Sequence, residues 1–217
     1  MVDDVRIIFK NEFNCLKNHK ATLVCVVGCL ISGLLFIYQN GASSMVGLMG
    51  GITIIPTFFG SLCGVQIISD TIVKEKRENT LDIILSSGIS EYSIIIGKVL
   101  NGLFVAYLVA ILMINVLKFG FYFTTNDFNY ITFYWYDFIN PLVFGYLSLS
   151  ASIQAYLLLN DEKFAPVIAI VVVSLILYGL IKLLNLIGIY NIGIVIMLGV
   201  LLCFITTFLA SKILNKT

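Results

Sequence analysis

Residues able to do polar chemistry are concentrated in one stretch of this chain. Asp70, Lys74, Glu75, Lys76, Arg77, Glu78, Asp82, Glu91 and Lys98 are nine of the 25 acidic and basic side chains. The chemistry open to them is charge pairing and docking rather than catalysis. His19 is the only histidine and falls at the cytoplasmic edge, where a solvated surface residue is expected; this argues against Ser-His and Cys-His pairs and rules out a multi-histidine metal site. There is no GxxxxGKS or GxxxxGKT phosphate loop; Gly97-Lys98 is followed by Val99 and lacks the upstream glycine. Cys15, Cys25, Cys29, Cys63 and Cys203 show neither metal-ligand spacing nor a disulfide framework, so packing is their expected role. The sequence therefore offers no catalytic, cofactor-binding or metal-ligating residue. Energy for any active transport would have to come from another subunit or from an ion gradient.

The rest of the chain explains why this polar stretch stands out. Of the 217 residues, 59% are hydrophobic and 12% charged, with a mean hydropathy of +1.02. A soluble domain carries about 25% charged residues. The composition is that of an all-α integral membrane protein. With a net charge of +1 and no basic block to track phosphates, nucleic acid is not an expected partner. A charge at the bilayer centre costs about 3 kcal/mol or more, so residues 70–98 must lie in water or against a soluble partner.

Local signals place a short helix inside the polar stretch. Asn79 or Thr80 can cap its start, and Asp82 falls in the first turn, where a carboxylate suits the helix dipole. Leu81, Ile84 and Leu85 then share one apolar face. Gly88 is a natural stop, and Ser90-Glu91 reads as the cap and first turn of the next helix. An ordinary solvated loop is the plainer alternative.

Six apolar runs surround it, at 21–38, 45–69, 93–117, 139–159, 165–181 and 192–211. Most approach the ~20 residues a helix needs to cross ~30 Å of hydrocarbon. With the N-terminus inside, eleven basic residues lie on or near the cytoplasmic side and only Lys118 and Lys182 lie outside. The positive-inside rule thus predicts a multi-pass protein of the cell (plasma) membrane with both termini cytoplasmic. Ahead of the first run, Val5, Ile8, Phe9, Phe13 and Leu16 share a helical face opposite Arg6, Lys10 and Lys17. This predicts an amphipathic interfacial helix within residues 1–20.

The second run carries Gly47, Gly51, Gly60 and Gly64 at GxxxG spacing, with Pro56 between the pairs. Small residues four apart permit close helix packing; a hinge at Pro56, Gly60 and Gly64 is the other reading. Residues 119–138 hold eleven aromatic side chains, including Trp135, which fits an extracellular interfacial belt. No Asp or Glu lies deep in any of the six runs, which argues against proton or sodium coupling. Asp70, at the end of the second run, and Lys98, in the third, are the expected structural pair tying those spans together.

The polar stretch resembles the signature of the ABC-2 transporter permeases. Asp70 ends the second span, followed by Glu75-Lys76-Arg77-Glu78, Thr80-Leu81, Ile84-Leu85-Ser86 and Gly97-Lys98. Asn79 and Gly88 stand where that family usually has glycine and proline. The span pattern extends the resemblance to the whole chain, as one domain with a coupling segment at 74–90. The resemblance implies a permease subunit of an ATP-driven exporter, paired with a second identical or related permease chain in the bilayer. A separate ATPase subunit would bind the ATP and Mg and drive the permease through a coupling helix at 79–87. Glu75, Arg77, Glu78, Asn79, Thr80, Leu81, Ile84 and Leu85 would form that interface. Apolar and aromatic walls suit a hydrophobic or amphipathic cargo: a peptide, antibiotic, lipid or glycan. The alternative is a non-transporting regulatory, immunity or scaffold subunit that recruits a cytoplasmic partner through the same segment.

Overall fold

Lipid offers a backbone N–H or C=O no partner, so apolar segments satisfy those groups within helices. The computed structural model describes residues 2–16, 27, 28, 31, 51–78, 80–86, 88–159, 164–186 and 192–214. Among them every regular element is helical. In chain order they are α1 (Val2–Leu16), α2 (Gly51–Arg77), α3 (Thr80–Ser86), α4 (Glu91–Thr125), a 3-10 turn (Phe128–Ile131), α5 (Trp135–Leu159), α6 (Ala165–Leu186) and α7 (Ile192–Leu214). Four of them, α2, α4, α5 and α7, are long and apolar enough to cross a membrane. The described part of α6 adds a shorter apolar stretch, Val167–Ile176. The run at 21–38 lies outside the described residues except for Val27, Gly28 and Ile31.

Two helices outrun their apolar segments. α2 continues past residue 69 to Arg77, because Lys, Glu and Arg are good helix formers and hydropathy marks the lipid boundary rather than the helix end. α4 continues past residue 117 to Thr125, where Asn126 closes it in the left-handed conformation and its N–H reaches the Tyr122 carbonyl. Part of the expected extracellular belt is therefore helix. At 35 residues α4 is ~52 Å long, well beyond the hydrocarbon thickness.

α4 is the central post. Its buried residues recur in pairs every fourth position, from Gly97-Lys98 through Asn101-Gly102 and Val105-Ala106 to Leu117-Lys118. A step of four overshoots one turn by ~40°, so the stripe winds round the helix and meets several neighbours. α2 packs on it antiparallel at the predicted small residues. A Cβ on Gly64 would stand 2.6 Å from the Gly102 carbonyl oxygen, and one on Gly60 would collide with the Ala106 carbonyl. These glycines serve backbone contact; a hinge at Gly60 and Gly64 would have to break it in order to bend. α5 fills the other side, with Leu149 against Gly64 and Gly145 against Leu103. α7 lies along α5 through the Tyr146–Thr207 and Ser150–Thr206 hydroxyl pairs, both 2.8 Å. α1 docks on the first half of α4, with Ile8 over Gly97 and the Phe13 ring edge-on to Phe104.

Candidate functional site

The two ends of the α2–α4 pair carry the polar side chains, and each end has a buried lysine. Lys98 and Lys118 are 20 residues apart on α4, ~30 Å along the helix, which is the thickness of the hydrocarbon core. No charged residue lies between them.

At the first end α3 joins the two helices. Ser90 caps α4, its hydroxyl accepting from the Ser93 N–H, and Glu91 occupies the first turn, as the sequence predicts. Gly88 has φ +82°, a left-handed turn that suits glycine. Thr80 begins α3, and its hydroxyl donates to the Glu75 carbonyl at 3.3 Å. It thereby satisfies an acceptor in the last turn of α2 and draws α3 against that helix.

Lys98 donates to Glu75 Oε1 at 2.7 Å, with side chains 4% and 18% exposed. Glu75, not the Asp70 expected from the sequence, is the carboxylate that Lys98 bonds. The contacts of Gly60 with Ala106 and Gly64 with Gly102 set Lys98 level with residues 68–72 of α2. A helical side chain leans toward its own N-terminus, so Lys98 reaches along α2 to Glu75. Asp70 itself is half-buried. The bond still ties α2 to α4, through a carboxylate one and a half turns further on.

The remaining expected interface residues are placed as follows. Glu78 is exposed; Thr80 and Ile84 are half-buried. Asn79, and the side chains of Arg77, Leu81 and Leu85, lie outside the described residues. Ile83 is 65% exposed, an apolar side chain presented on α3. Sequence reasoning missed it because it falls off the stripe formed by Leu81, Ile84 and Leu85. Pro56 is buried within α2.

The second end holds a knot that sequence reasoning also missed. Lys118 donates to Asp137 Oδ2 at 2.5 Å and to the Thr132 carbonyl at 2.7 Å. Its ammonium lies 4.5 Å from the Phe133 ring centre. Asp137 also accepts from the Thr53 hydroxyl at 2.8 Å and the Tyr134 N–H at 2.9 Å. The two side chains are 7% and 2% exposed. The knot joins α2, α4, α5 and the aromatic connection. The fourth apolar run begins at 139, but α5 starts at Trp135, so Asp137 belongs to its first turn. The usable signal was a lone lysine and a carboxylate flanking an aromatic segment, since charges beside lipid need partners.

Among the described residues no group of three or more His, Cys, Asp or Glu could hold a metal ion. In comparisons with known proteins, no family model and no curated sequence matches the chain.

Proposed function

We propose that this chain is the permease subunit of an ATP-driven exporter similar to the ABC-2 family. In this reading it crosses the cell membrane six times, with both termini in the cytoplasm, and pairs with a second permease chain. A separate ATPase holds ATP and Mg and grips α3. The observation that carries the reading is a seven-residue helix, isolated between two long apolar helices and bonded back to the first through Thr80. Exposed Glu78 and Ile83 give a soluble partner both charge and apolar surface.

Force on α3 enters α2 through its covalent link and the Thr80 bond. It enters α4 through the Glu75–Lys98 pair. The close glycine contacts make α2 and α4 move together, because packed interfaces transmit displacement rather than absorb it. The displacement is felt ~30 Å away at Lys118 and Asp137, where a path for an amphipathic cargo would open. The test is a pair of variants, Glu78→Lys and Leu81→Asp. Both should insert normally, lose the co-purifying ATPase and lose export. Retention of both ATPase and export in both variants would overturn the assignment.

A further inference from the structure

The crease where α1 meets α4 and α5 holds a groove that the coupling reading does not use. It is a shallow groove, broadly open along one side, with a volume of about 600 Å³. Phe9, Leu100, Leu103, Phe104, Tyr107 and Leu142 form its walls, and Arg6 also lines it. Arg6 is exposed, and so is Lys10, one turn further along α1 on the same side. Asp4 stands in the first turn of α1, where a carboxylate suits the helix dipole.

The dimensions point to one kind of occupant. Tyr107, the deepest α4 residue of the groove, is nine residues beyond Lys98 and eleven before Lys118. That puts it ~14 Å from the Lys98 level, about half the hydrocarbon thickness. The α4 wall of the groove therefore ends about half-way through the hydrocarbon, and its lining is almost wholly apolar apart from Arg6. We propose that it binds an anionic phospholipid, one acyl chain along Leu103, Tyr107 and Leu142 and the phosphate on Arg6, with Lys10 adding positive charge one turn away. A chain of methylenes suits walls that are almost wholly apolar. Arg6 in the lining, with Lys10 one turn further along α1, favours a net negative headgroup over a zwitterionic one. The site stands whether or not α3 is a coupling handle.

The test places a reporter in the groove. Leu142→Trp is made in a Trp135→Phe background and reconstituted in vesicles containing brominated-chain phosphatidylglycerol or phosphatidylcholine at equal mole fraction. Phosphatidylglycerol should occupy the groove about fivefold more strongly, the effect of roughly one basic residue near an anionic headgroup. Quenching by the two lipids should become equal in the Arg6→Gln/Lys10→Gln variant. Tyr107→Trp supplies a second reporter should Leu142→Trp fail to insert. Equal quenching by both lipids in the parent protein would overturn the proposal, since it describes an ordinary lipid boundary. So would a preference that survives loss of both cations.

Discussion

The two ends of α4 use the same chemistry to opposite effect. At the aromatic end, Lys118 and Asp137 are sealed from solvent, and each is held by a backbone group as well as by its counter-ion. Thr53 brings in a third long helix. At the α3 end, Lys98 is as deeply buried, but Glu75 is 18% exposed, and beyond it the turn residue Glu78 and Ile83 of α3 are exposed. A closed knot resists change because opening it strands a charge in a low-dielectric setting. A half-open bridge beside an exposed helix can be re-formed at lower cost, with water or a partner completing it. The contrast teaches that one end of the bundle is built to hold and the other to be reached.

Substitutions at the two ends should differ in size, and the largest loss belongs to the knot. Asp137→Ala leaves Lys118 buried without its carboxylate and should cost about 3–5 kcal/mol in reversible unfolding. Lys118→Met with Asp137→Leu should recover most of that loss, because neither charge is then stranded. Lys98→Ala at the other end should cost less, about 1.5–3 kcal/mol, the range for a hydrogen bond to a charged group. If Lys98→Ala proved the costlier of the two, the contrast between the ends would fail.

The α2–α4 contact that links the ends comes next. Gly64→Ala would set a Cβ 2.6 Å from the Gly102 carbonyl, a backbone atom that cannot rotate away. About 1–3 kcal/mol should be lost, as for other overpacked sites. Gly179, with open space at its Cβ position, is the control and should tolerate Ala. Smaller still is Gly88→Ala, which should cost about 1 kcal/mol because only φ +82° opposes it. Thermal unfolding in one detergent would rank all of these.

The sequence made some parts of this legible and hid others for definite reasons. The helices from Gly51 to Leu214 follow from runs of apolar residues, and the Ser90 cap with Glu91 behind it was readable letter by letter. The small-residue face of α2 was legible as a contact because residues four apart in a helix share one face. The partner of Lys98 was not, since it depends on the offset between two helices, and no single-chain pattern records that offset. Lys118 and Asp137 lie just outside the third and fourth runs, so the run pattern pairs neither with a partner. Hydropathy sees where lipid ends, whereas helices continue into the headgroup region and carry their charges with them.

The most direct measurement of the central idea, that α3 is a handle gripped from the cytoplasm, uses Ile83. In a cysteine-free background, Ile83→Cys is challenged with a membrane-impermeant maleimide in intact cells and in inside-out vesicles. The account expects labelling only in the inside-out vesicles, and protection there when the ATPase subunit is bound. Labelling of intact cells would put α3 on the outer face and contradict the account outright.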